Sequence, residues 1–165
     1  MTTTEQVTIV VGLGELQVSD SPSAVLSCLG LGSCVAVSAY DAVAKVAGLV
    51  HIVLPSSDGR DVTLPGKFAD TALPALLEEM GKLGALKSRL TVKIAGGAKI
   101  SMTQNSNPIF KTGERNIEAT KLHAQAQGLT IVSEEVGGNS GRTLRLYADS
   151  GRVTVTQAGR QTQDL

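Results

Sequence analysis

The spacing of apolar residues changes several times along the chain, and each change marks an element. Residues 7–11 (VTIVV) form a short β-branched run that predicts a strand, and 15–18 predict a short second one. Residues 24–28 predict a strand ending at a glycine pair, Gly30 and Gly32. Residues 34–40 and 45–54 read as the two arms of a hairpin, with 41–44 as its loop. Pro, Ser, Asp and Gly punctuate 55–66, which reads as a loop. Over 67–83 the period becomes helical, with Leu73, Leu76, Leu77, Met80 and Leu83 on one face. Pro74 is awkward there because proline lacks the backbone donor, and it reads as marking the first turn of a helix that starts later than residue 67.

Further on, 90–95 predict a strand running into Gly96 and Gly97, and 101–112 a polar loop. Residues 113–127 predict a second helix, stopped by Gly128. Three strands follow at 129–136, 142–148 and 153–157, the first two joined by the GGNSG loop. The polar stretches 1–6 and 158–165 read as loose ends. About eight strands, the short run at 15–18 aside, and two helices, with no repeat and no linker, predict one α/β (α+β) domain over 1–165. Its expected form is a mixed, largely antiparallel sheet or sandwich with two main helices, not a regular βαβ alternation.

Composition narrows the function classes. Fifteen basic and fifteen acidic residues cancel, and aromatics are 2% of the chain, so neither an electrostatic nor a base-stacking reason for nucleic acid exists. No apolar run is long enough to span a membrane, and no basic-then-apolar leader opens the chain, so membrane insertion is not expected and the cytoplasm is. Two cysteines are too few for a disulfide framework, and two distant histidines without CxxC or HxxE spacing give no metal site. No GxxxxGK[ST] pattern accompanies Gly96–Gly97 or Gly137–Gly138, so these read as structural turns and no cofactor is expected.

The candidate chemistry lies in GLGSC (30–34) and GLVHIVLP (48–55). Cys34 follows a two-glycine turn, where a thiol can reach a substrate and the backbone N–H groups of Gly32 and Ser33 can face an oxyanion. If 41–44 is the hairpin loop, opposed residue numbers sum to 85, and Cys34 falls directly opposite His51. A slip of one residue would put them on different faces. An imidazole beside a thiol can take its proton and later return it to a leaving amine. Either residue alone reads more often as core; together, at a glycine turn and in matched register, they leave both readings open.

The segments CLGLGSCVAV (28–37), AGLVHIVLP (47–55), KFADTALPAL (67–76), KIAGGAKI (93–100), KTGERNIEA (111–119) and VGGNSGR (136–142) resemble the CheD family, the chemoreceptor glutamine deamidases of bacterial and archaeal chemotaxis. The blocks occur in order over nearly the whole chain. The resemblance implies an α/β sandwich with a cysteine-hydrolase site similar to that of the cytotoxic necrotizing factor toxins. It implies hydrolysis of glutamines on chemoreceptor cytoplasmic helices, with Cys34 as nucleophile and His51 as base. A threonine completes the family's site six residues before the cysteine, and here that place is Cys28, a weaker hydrogen-bonding group whose orienting role is in doubt. The KTGERNIEA block also suggests Arg115 and Asn116 at the rim of the site.

Three readings therefore stand side by side. The first is a deamidase working through a thioester. The second is a binding module for a receptor helix or a CheC-like phosphatase, kept open by the Cys28 departure. The third is a methylesterase for receptor glutamyl esters, since the same thiol chemistry would serve. A lowered thiol pKa at Cys34, with alkylation at pH 7 much faster than at Cys28, would favour an enzyme.

Overall fold

The computed structural model describes residues 5–99 and 111–165. The expected loop over 101–112 lies outside these residues except for its last two, as do residues 1–4 of the expected loose N-terminus. The strands are β1 (Val7–Val10), β2 (Leu16–Ser19), β3 (Ala24–Leu31), β4 (Val35–Asp41), β5 (Val46–Ile52), β6 (Leu90–Gly96), β7 (Ile131–Val136), β8 (Arg142–Tyr147), β9 (Val153–Gln157) and β10 (Gln163–Asp164). The helices are α1 (Ala69–Lys82) and α2 (Thr112–Ala126).

Two five-stranded sheets form, one ordered β1-β3-β8-β9-β10 and the other β2-β5-β4-β6-β7. Pairing is antiparallel except at β1–β3 and β6–β7. The second sheet is the middle layer of three. Ala36, Tyr40, Ala47 and Leu49 point from it into the gap between the sheets, where they meet Leu26, Cys28, Leu144 and Leu146 of the first sheet. Val35, Val37, Val50 and Ile52 point the other way, onto Ala72, Leu73, Leu76 and Met80 of α1. Coverage on both faces explains why every residue of β4 and β5 is buried, and why their sequence reads as continuous apolar runs.

The hairpin between β4 and β5 departs from its expected register. Asp41 is the last residue of β4, opposite Val46, and Ala36 lies opposite His51. The cause is Asp41 itself. Its fully buried carboxylate accepts the N–H groups of Val43 and Ala44 at 2.9 and 3.0 Å and so caps the turn from inside the strand. Lys45, at φ 58, closes the turn in the left-handed region. Opposed numbers sum to 87 instead of 85, a shift of two that moves partners along the strand and keeps their faces.

Two further expectations are corrected. Pro74 lies inside α1, which starts at Ala69, instead of marking its first turn. Its ring is exposed, and the opposite face, with Ala69, Ala72, Leu73, Leu76 and Met80 buried, holds the helix together. The C-terminus is not loose. β10 pairs with the free edge of β9, Leu165 N–H donates to the Val153 carbonyl at 2.9 Å, and Leu165 packs into the gap between the sheets. The GGNSG loop joins strands of different sheets, β7 and β8, and is pinned from below by buried Arg142, which donates to the carbonyls of Glu135, Gly137 and Ser140.

Candidate active site

Cys34 sits just ahead of β4, half-buried, with its thiol packed into the gap between the sheets. Ala36, two residues on, is opposite His51, so continued register puts Cys34 opposite Val53 and diagonal to His51. The two side chains share the inter-sheet face, at the diagonal spacing of roughly 7–8 Å between backbones that long side chains can bridge. The register puts the two residues on one face, on a diagonal and not directly across as the expected sum of 85 had them.

The segment after β1 holds His51 at its backbone and at one ring nitrogen. Its N–H donates to the Glu15 carbonyl at 3.0 Å, and its carbonyl accepts from Gly14 N–H at 2.9 Å. Its ring Nδ1 lies 3.0 Å from the Val11 carbonyl oxygen. A carbonyl can only accept, so Nδ1 carries the proton, and in the neutral ring Nε2 keeps a free lone pair. Nε2 is buried and has no partner among the described residues. The ring is thus set in the tautomer a general base needs, with its basic nitrogen uncommitted.

The third position behaves differently from the expectation. Cys28 is fully buried in β3, opposite Leu144, and its thiol makes no hydrogen bond among the described residues. Burial, and then the neighbouring Cys34, push the Cys28 thiol far up, so it stays protonated. The orienting group of His51 is the Val11 backbone. Burial also pushes the Cys34 thiol up. That direction is the reverse of the lowered thiol pKa that would favour an enzyme, and it leaves less thiolate at neutral pH than a free cysteine has.

The turn before Cys34 is clamped through its carbonyls. Gly32 C=O accepts from Ala98 N–H and Cys34 C=O from Gly97 N–H, both at 2.8 Å, and Ser33 C=O accepts from the Asn116 side chain at 2.9 Å. The N–H groups of Gly32, Ser33 and Cys34 donate to no group among the described residues. Gly96, at φ +117, lies so close that a Cβ there would collide with the Cys34 carbonyl, which explains the glycine. Arg115 is exposed on α2, whereas Asn116 is fully buried beneath the site and not at its rim. Sequence could have pointed to this. Gly113, Asn116, Thr120 and Ala124 form the buried stripe of α2, and an amide on such a stripe needs buried partners. The Val11 carbonyl left no signal, since any residue supplies one.

Residues 53–157 match the family described as CheD chemotactic sensory transduction. A probable chemoreceptor glutamine deamidase CheD of Symbiobacterium thermophilum is 44% identical over 158 residues, covering 94% of this chain and 95% of that protein. The chemoreceptor glutamine deamidase CheD of Thermotoga maritima is 42% identical over 150 residues, covering 91% of this chain and 92% of that one. The chain belongs to the CheD family. The family match begins at Val53, beyond Cys34 and His51, but the full-length CheD relatives extend over more than nine-tenths of the chain. Among solved structures, the Bacillus licheniformis hypothetical protein YfiH is similar over 81% of this chain and 60% of its own, at 13% identity and a TM-score of 0.47, too distant to bear on the chemistry.

Proposed function

We propose that this CheD protein is a chemoreceptor glutamine deamidase, and the observation that carries the proposal is the tautomer of His51 beside Cys34. Nε2 takes the thiol proton as Sγ attacks the side-chain carbonyl carbon of a receptor glutamine. The negative charge that develops on the amide oxygen is met by unengaged N–H groups of residues 32–34. The C–N bond breaks, the proton on Nε2 leaves with ammonia, and a thioester to Cys34 remains. Water then gives a proton to His51 and attacks the thioester. The C–S bond breaks, the thiol is restored and glutamate is released. The relatives' names supply the substrate, a glutamine of a chemoreceptor.

The reading places the protein in the cytoplasm, beside the receptor's signalling helices. Among the described residues no helix is long and apolar enough to cross a membrane. The binding-module reading loses its motive once a backbone carbonyl, and not residue 28, orients the imidazole. A CheC-like phosphatase partner rests on the family resemblance alone. The test is ammonia release from a purified receptor cytoplasmic fragment. Wild-type protein releases ammonia, and Cys34→Ser, nearly isosteric but a far weaker nucleophile near neutral pH, releases none. Equal release by a folded Cys34→Ser protein would overturn the assignment.

A further inference from the structure

Asn116 lies on the helical side of the middle sheet, while the thiol of Cys34 and the ring of His51 lie on its other side. Its Nδ2 is 2.9 Å from the Ser33 carbonyl and 2.9 Å from the Val53 carbonyl. Both partners are acceptors, so the atom facing them is the NH₂, which spends one hydrogen on each. Ser33 immediately precedes Cys34, and Val53 stands across from Cys34 in the continued register. One amide therefore ties the ends of both strands at the level of the thiol.

The consequence follows from peptide geometry. In a trans peptide the carbonyl of residue 33 and the N–H of residue 34 point in opposite directions. Asn116 draws the Ser33 carbonyl toward α2, so the Cys34 N–H is turned away from α2, toward the face that carries its own sulfur and His51. That N–H has no acceptor among the described residues. We infer that Asn116 is a positioning residue, which aims the Cys34 N–H as the oxyanion donor for acyl transfer to Cys34. Asn116 touches no substrate and acts through the peptide it holds. Its own Oδ1 is buried without a partner, a cost that a residue kept only for packing would not carry.

This inference deepens the proposed function and rests on it, so the test uses a substrate other than a receptor. The probe is p-nitrophenyl acetate. Cys34 Sγ bonds to the acetyl carbon, the C–O bond to nitrophenolate breaks, and the thiol proton passes to His51 Nε2. That step builds an oxyanion. Alkylation of Cys34 by iodoacetamide is a displacement that builds none, so it serves as the control. In Asn116→Ala, nitrophenolate release should fall by about tenfold to a hundredfold, less than the loss expected for deleting a donor outright. Alkylation should stay within about threefold, since the thiol and imidazole are unmoved. Asn116→Ser, which keeps one donor, should recover part of the acylation rate.

Equal falls in both reactions would make Asn116 a general support of the site and overturn the inference. So would an unchanged acylation rate, or failure of both variants to fold. Wild-type protein that acylates normally but leaves receptor glutamines intact would overturn the proposed function alone.

Discussion

At the hydrogen bond between His51 Nδ1 and Val11, only the ring can donate, which leaves Nε2 as the basic nitrogen that the proposed mechanism uses. The thiol it serves is raised by burial above its ordinary value of about 8.5. A raised thiol pKa means less thiolate at neutral pH, so iodoacetamide alkylation of Cys34 should keep climbing as pH passes 8.5, with no plateau near neutrality. A rate already level at pH 7 would show an ionised thiol at rest. Cys28 should resist the reagent in the folded protein at every pH where Cys34 reacts, because it is fully buried. Cys28→Thr and Cys28→Ala should both deamidate at the wild-type rate, and Cys28→Ala should be less stable by about 1 kcal/mol, the cost of a small core deletion. A faster Cys28→Thr enzyme would return the orienting role to residue 28. Denaturant titration and initial rates on the same samples separate the two effects.

Among the elements, the β4–β5 hairpin decides whether the site exists, and its register is set at the end remote from the site. Burial of the Asp41 carboxylate would raise its pKa. The N–H groups of Ala44 and Leu86, the Arg89 side chain at 2.9 Å and the Val43 N–H outweigh that and hold it well below the usual carboxylate range. A depressed folded-state pKa adds stability above the unfolded value of about 3.9, and that stability is lost as pH falls toward the folded value. Asp41→Asn should therefore cost about 1–3 kcal/mol at pH 7, less than the ~3–5 kcal/mol of a fully buried broken pair because Arg89 keeps some contact with water. The variant's stability should fall less steeply than wild type below pH 4 in urea titrations. Parallel acid limbs would show that Asp41 titrates normally.

The hairpin also shows what could be read without coordinates. The pattern of apolar runs over 34–40 and 45–54 placed both arms, and it put Cys34 and His51 on one face because an error of two in the register leaves faces unchanged. It could not place the turn, since Asp41 reads as a polar loop residue until its carboxylate is seen satisfied inside the core. β10 was missed for the converse reason. Gln163 and Asp164 are polar and exposed, and only the open edge of β9 makes them a strand. Cys34 and His51 were legible because side chains carry their chemistry. Val11 and the clamp beneath Ser33 were not, because a carbonyl oxygen becomes specific only through where the fold puts it.

On the scale of the whole molecule, the three layers divide the work. The middle sheet carries Cys34 and His51 on its inter-sheet face, the strand-end loop after β1 orients the imidazole, and α2 fixes the backbone beside the thiol from the opposite face. Nothing in this arrangement requires the substrate to supply a catalytic group, so a folded receptor fragment and this one chain should suffice for reaction. Mass spectrometry of a receptor cytoplasmic fragment, incubated with wild-type protein or with Cys34→Ser, tests that most directly. The account predicts a gain of about one mass unit, amide to acid, at discrete glutamines with the wild type and none with Cys34→Ser. Unchanged glutamines after exhaustive incubation with folded wild-type protein, or the same gain with Cys34→Ser, would contradict it.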